Sequence, residues 1–287
     1  MFYIKIILVI LVIILSHNYS YGTSIFFKNH NAVFGKRDRF TLILRTELYE
    51  KYSINMTNYN ILDISIAGSY NPNNFVEVSF RIPYLKILQA NDNGILSDIT
   101  LSSKFLIAKE IFSIFDDFLL QDAIVINVSL ATGVKKEDSY RNINFEKGLY
   151  FPLSSGYTDI ELGNVVSLIG TFFGLSFYSS FLSISSKTEP LLAFNTENDN
   201  FLLGTTLELF IIYYKNLTMK LFFESTLYVP ISDKSKYLNT WFNGLGMWYK
   251  LFERIIISFG YYKNFLDPVD LEKYHSSAIS FYIGIRF

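Results

Sequence analysis

From Phe40 onward the chain alternates large apolar residues with small or polar ones, in runs of about ten residues broken by polar connections. That two-residue period is the mark of a strand with one face in lipid and the other toward a polar interior. The closing run is the clearest: Ile279, Phe281, Ile283, Ile285 and Phe287 share one face, and Ala278, Ser280, Tyr282, Gly284 and Arg286 the other. Residues 75–87 repeat the pattern, with Val76, Val78, Phe80, Ile82 and Tyr84 against Glu77, Ser79 and Arg81. Comparable runs fall at 40–51, 61–70, 95–108, 123–135, 157–168, 172–184, 201–213, 217–229, 241–250 and 254–263. The expectation is an all-β, antiparallel transmembrane barrel of about 12 strands, an even number as in bacterial single-chain barrels.

Two stretches depart from simple alternation. Residues 162–186 carry no charge, but Phe173, Leu175, Phe177 and Phe181 interleave with Gly174, Ser176, Tyr178 and Ser180, so they read as two strands around Gly170-Thr171 rather than a spanning helix. In 109–121, by contrast, Ile111, Ile114, Phe115, Phe118 and Leu119 sit at helical spacing, and a short amphipathic helix is expected there.

Connections after even strands are mostly about three residues and those after odd strands roughly six to twenty, the asymmetry of short periplasmic turns and long outer loops. Both termini are then periplasmic, and segments 136–155, 185–200, 230–240 and 264–275 face outward. Prolines 72, 152, 190, 230 and 268 fall in connections or at strand ends, where a missing N–H costs no ladder bond. Pro83, inside a run, calls for a bulge or frayed pairing near the rim.

The N-terminal stretch changes the picture in one way. Lys5 precedes an apolar run over 6–15, too short to span a bilayer but suited to a signal peptide. Residues 1–22 are read as that signal, ahead of small residues before Thr23, and 23–287 as the outer-membrane barrel domain. No cysteine is present, which excludes disulfides and thiolate chemistry. Aromatics make up 18% of the chain, with 28 Phe and 21 Tyr, enough for belts of rings at both lipid boundaries. With 25 basic and 26 acidic residues there is no polyanion-binding signature, so nucleic acid is not an expected partner.

The strand phases direct Arg45, Glu47, Asp63, Glu77, Arg81, Asp98, Lys104, Glu161, Glu208, Lys220, Glu224, Arg254 and Arg286 toward the lumen as candidate pore-lining residues. Setting an Arg or Lys against lipid near the midplane would cost about 2–4 kcal/mol, which gives the phase its force. Bases and acids are nearly balanced, as in a channel for small solutes crossing by passive diffusion. The alternative is that they pair and fill the lumen of a structural or surface-interaction barrel. A lipid hydrolase is a third reading, carried only by His275 and Ser277, and the chain is not expected to be an enzyme. Three histidines without metal-binding spacing suggest no metal centre, and no cofactor is expected. The expected partners are outer-membrane lipid, a small-molecule solute and, through the strand ending at Phe287, the barrel-insertion machinery, all in a bacterial outer membrane.

Four segments, EVSFRIPYL (77–85), GILSDITLSSKF (94–105), VSLATGVK (128–135) and LSSGYTDIELG (153–163), resemble in order and spacing the outer-membrane channels grouped as the meta-pathway phenol-degradation family. The third lacks the family's usual proline before Thr-Gly, and the 109–121 segment is more hydrophobic than the family pattern. The resemblance implies a twelve-stranded outer-membrane barrel passing small, hydrophobic or aromatic molecules.

Overall fold

A computed structural model of the protein describes residues 39–54, 57–88, 95–113, 117–132, 158–184, 199–214, 217–231, 240–265 and 277–287. The strands are β1 (Arg39–Ile54), β2 (Thr57–Asn73), β3 (Val76–Ile87), β4 (Ile95–Leu96), β5 (Ile99–Ser113), β6 (Asp117–Leu130) and β7 (Asp159–Ile169). They continue as β8 (Phe173–Ile184), β9 (Asn200–Tyr214), β10 (Leu217–Pro230), β11 (Thr240–Leu251), β12 (Ile255–Asn264) and β13 (Ser277–Arg286). β4 and β5 lie successively along one edge of β3, so 13 strands make 13 − 1 = 12 staves. Each stave pairs antiparallel with its chain neighbour, and β13 pairs back onto β1 from Thr41↔Arg286 to Glu50↔Ser277. The sheet therefore closes and leaves no open edge, as a strand-built membrane span requires.

The pleat sorts the side chains as the sequence pattern demands. On β13, Ile279, Phe281, Ile283 and Ile285 are exposed on the outside while Ala278, Ser280, Tyr282 and Arg286 are buried inside. Leu42, Leu44, Ile64, Ile66, Leu101, Leu162, Leu203 and Leu245 extend the outer apolar band around the barrel. Rings flank it at both ends. At the end formed by short turns Phe40 stacks on Phe287 with centroids 6.3 Å apart, and at the opposite, loop end Trp241 meets Phe265 at 6.1 Å. The protein thus has the lipid-facing surface of a barrel with aromatic girdles.

Residues 162–186 form strands as expected, β7 and β8 meeting around Gly170, whose N–H donates to Phe173 O at 2.8 Å. The helix expected over 109–121 is not there. β5 runs to Ser113 and β6 starts at Asp117, paired from Ser113↔Asp117 through Lys109↔Gln121. The apolar residues belong to the two arms of a hairpin and the connection between them, with Ile111 paired to Leu119, so spacings counted through a chain reversal imitate a helix; a separate register shift lies upstream, between Leu106 and Ala108. The first connection after an odd strand is also shorter than expected, since β1 and β2 pair as far as Ile54↔Thr57 and leave only 55–56 between them.

Pro83 meets its expectation. β3 pairs with β5 up to Arg81↔Thr100 and with β4 from Tyr84↔Leu96, so two residues of β3 face three between Leu96 and Thr100. Ser97 N donates to Pro83 O at 2.9 Å across this bulge. The signal peptide 1–22, the mature start at Thr23, loop 136–155 and His275 lie outside the described residues, as do most of the other three proposed outer loops.

Candidate functional site in the barrel interior

Inward positions carry polar groups that the register brings together in four places. On β1–β3, Glu47 is fully buried and accepts hydrogen bonds from Tyr49 Oη at 2.8 Å and Tyr282 Oη at 3.0 Å. It also pairs with Arg45 and, at 3.5 Å, with Arg81. Arg81 reaches on to Asp63, also fully buried, and donates from Nε to Ser65 Oγ at 3.2 Å. Arg45 lies over the Tyr282 ring, 4.9 Å from its centroid. Two guanidinium groups and two carboxylates cancel, so this wall is electrostatically neutral.

Along the turn end of β3, Lys104 Nζ stands 3.3 Å from Glu77, to which Asn71 also donates at 3.3 Å. On β6–β8, Glu161 takes three neutral donors: Tyr178 Oη at 2.7 Å, Ser180 Oγ at 2.6 Å and Asn127 Nδ2 at 2.8 Å. Gly163 makes this possible, because a Cβ there would fall 2.7 Å from the Tyr178 hydroxyl. Only a residue without a side chain lets the ring cross β7 to reach Glu161.

The fourth group lies at the turn end of β9–β13. Lys220 Nζ is 3.2 Å from Glu208 and sits over two rings, 4.6 Å from Phe210 and 4.9 Å from Trp248. Lys250 reaches Glu253 at 3.6 Å, and Arg39 reaches the same carboxylate at 3.9 Å. Glu253 belongs to the β11–β12 turn, where Phe252 (φ 50°) and Glu253 (φ 61°) are both left-handed and Arg254 N donates to Leu251 O at 3.0 Å. That is a type I′ hairpin built without the usual Asn-Gly. Arg286 is 5% exposed, and its Nη2 has no hydrogen-bond partner among the described residues.

Of the thirteen residues read from the sequence, twelve point inward or are buried at an inner rim, among them Asp98 and Glu224. Arg254 is exposed in the turn before β12, one residue short of the strand but in phase with its inward residues Ile256 and Ser258. Sequence reasoning placed Tyr178 and Tyr282 on inner faces but passed over three other inner aromatics. Tyr228, Phe242 and Tyr262 are buried inside on β10, β11 and β12, edge to face at 5.9 and 6.0 Å. Their inward phase was readable, since each is in step with a small or polar inward neighbour: Thr226, Gly244 and Ser258 respectively. The serine of the hydrolase pairing is engaged otherwise, Ser277 Oγ donating to Glu50 at 2.8 Å.

In fold the chain is similar to an outer-membrane channel from Pseudomonas putida F1, with TM-score 0.53 and 8% identity over 88% of this chain and 97% of that one. The NanC porin superposes with TM-score 0.46 and 9% identity over 86% and 98%, and LpxR from Salmonella typhimurium with 0.45 and 9% over 85% and 99%. No protein-family model matches the chain, and no curated protein does. Closure, an apolar outer band and a polar interior define the class: the protein is an outer-membrane β-barrel.

Proposed function

We propose that the protein is an outer-membrane channel that passes small solutes by passive diffusion, with its loop end outside the cell and its turn end in the periplasm. The observation that carries this reading is the geometry of the interior charges. The ion pairs named above join residues of the same strand, of neighbouring strands or of strands next but one, so they lie along the wall and do not reach across the lumen. A barrel filled for structural reasons would be expected to bridge opposite walls. In the channel reading, charges held against the wall border an axial path and set its local potential.

The inner rings Tyr228, Phe242 and Tyr262 support solutes with an apolar or aromatic face. They agree with the resemblance to the meta-pathway phenol-degradation channels, whose four similar segments here have described strand residues on four neighbouring staves, β3, β4–β5, β6 and β7. Membership of that family is part of the proposal. Full burial of Glu47, Asp63 and Tyr282 favours a second reading, a barrel filled along β1–β3 and serving as structure.

Single-channel recording of refolded protein in a planar bilayer separates the two. The channel reading expects discrete steps whose ion selectivity shifts when Arg81 or Lys104 is changed to Glu. Silence over the full voltage range from a demonstrably folded barrel would establish the filled one.

A further inference from the structure

The turn-end group on β9–β13 has more positive charge than its partners neutralise. Counting Glu77 together with its partner Lys104, the cations Arg39, Lys104, Lys220, Lys250 and Arg286 face Glu77, Glu208 and Glu253, giving 5 − 3 = +2. Lys250 lies within the fields of both Arg286 and Lys220, and Arg286 within those of Arg39, Glu253 and Glu77. These cations therefore form one patch rather than separate surface charges. Within it Arg286 is deeply buried, yet its Nη2 donates to no described atom. A guanidinium nitrogen withdrawn from water without an acceptor is costly, and a bound anion would remove that cost.

The patch also has rings. Phe210 and Trp248 flank Lys220, and Lys250 follows Trp248 by two positions on the same face of β11, about 7 Å further along the strand. A second ring group, Tyr228, Phe242 and Tyr262, lies toward the loop end of β10–β12, six positions beyond Trp248 along β11. A ligand suited to both features has a compact anionic group and a flat apolar body.

We infer that this patch is a binding subsite for a small aromatic carboxylate, whose carboxylate is held by Arg286 and Lys250 while its ring lies beside Trp248 and Phe210. The inference rests on the channel reading and narrows its solute. Arg is the fitting residue, because its planar fork presents paired donors to a carboxylate. Glu208 and Glu253 would hold Lys220 and Lys250 in place and keep the patch from trapping the anion, since conduction needs a site that also releases.

Trp248 makes the subsite observable without any current. The chain has 2 tryptophans, and Trp241 stands on the outer face, so Trp241→Phe leaves Trp248 as the sole reporter. Benzoate, phenol and acetate are titrated into the refolded barrel at constant ionic strength, with folding checked by heat-modifiable gel mobility. Benzoate is expected to change Trp248 fluorescence saturably, phenol and acetate each at least tenfold more weakly. Arg286→Gln should weaken benzoate about tenfold and Arg286→Lys less, with Lys250→Gln as a second probe should Arg286→Gln fail to fold.

Phenol binding as well as benzoate, no saturable response to benzoate, or unchanged benzoate affinity in a folded Arg286→Gln or Lys250→Gln barrel would each overturn the inference. The ligand comparison on the unaltered patch decides even if every variant misfolds. Benzoate binding to a barrel that carries no current would remove the channel reading alone, whereas current without benzoate binding would remove this inference alone.

Discussion

Asn164 Nδ2 donates to Asp122 Oδ1 at 2.6 Å on the outer face of the barrel, where β7 crosses beside β6. Both are outward by alternation: Leu119, Gln121, Ala123 and Val125 fill the inner side of β6, and Val165, Ser167 and Ile169 that of β7. A carboxylate there sees lipid, and the amide is the donor that makes it tolerable. Asn164→Leu should therefore strand Asp122 and destabilise the barrel by about 1–3 kcal/mol, whereas Asp122→Leu with Asn164→Leu should be neutral or stabilising. Urea unfolding in liposomes measures both. Equal loss in the single and double variants would show that the pair serves something other than its own satisfaction.

Glu47 is the hub of the β1–β3 network, contacted by Arg45, Arg81, Tyr49 and Tyr282. Glu47→Gln keeps the shape and removes the charge, leaving two buried guanidinium groups against Asp63 alone. Breaking such a pair costs about 3–5 kcal/mol where water cannot enter. Unfolding free energy should fall by about 3 kcal/mol. A change under about 1 kcal/mol would mean that water already screens this wall, and would favour an open lumen along β1–β3.

The fold was legible because lipid and interior impose opposite demands on alternate residues, and that demand is written in every strand. What escaped was set by where strands turn back and begin. The hairpin of β5 and β6 looked like a helix because its chain reversal sets Ile111 opposite Leu119 eight positions on, and the start of β12 fell one residue later than expected, leaving Arg254 in the turn. Lumen charges could be read one strand at a time, but not their partners. Which acid meets which base depends on inter-strand register, and bulges such as those at Tyr70/Asn73 and Met219/Lys220 fix that only in three dimensions. Tyr228, Phe242 and Tyr262 were missed for a different reason: rings were expected in the lipid belts, and composition does not say which face a ring is on.

Gly163 tests how tightly the Glu161 site is built. A methyl group there would meet the Tyr178 ring at 2.7 Å and Ser180 Cβ at 2.9 Å, so the ring must swing away and leave Glu161 with fewer donors. Gly163→Ala should cost about 1–3 kcal/mol of stability. Combining it with Tyr178→Ala should recover part of that loss, because the ring clash disappears while the contact with Ser180 remains. Strict additivity of the two substitutions would argue that the ring does not need the space above Gly163.

Phe252 and Glu253 hold the β11–β12 turn in the left-handed region, at φ 50° and 61°. Non-glycine residues there are strained by about 1 kcal/mol or more each. Glu253 has a reason to stay, since it binds Lys250 and Arg39, but Phe252 is exposed and makes no such pair. Phe252→Asn should stabilise the barrel by about 0.5–1 kcal/mol, seen as a higher urea midpoint with unchanged slope. A loss of stability instead would identify Phe252 as an anchor in the aromatic girdle.

Orientation in the membrane follows from the contrast between the two ends. At one, β2–β3, β7–β8 and β11–β12 are joined by two or three residues, and Phe287 N donates to Phe40 O at 2.8 Å beside them. At the other, the gaps after β6, β8, β10 and β12 are far longer, spanning 131–158, 185–199, 231–239 and 265–276. Outer-membrane barrels keep short turns on the periplasmic side and longer loops outside, so the turn end is expected in the periplasm and the long segments outside. Single cysteines test this in a chain that has none. On intact cells Ser139→Cys and Ser235→Cys should react with a membrane-impermeant maleimide, while Asn73→Cys, in the β2–β3 turn, should react only after the outer membrane is opened. The reverse labelling would invert the barrel and put the Arg286 patch at the outer mouth, where it would meet solute first instead of releasing it to the periplasm.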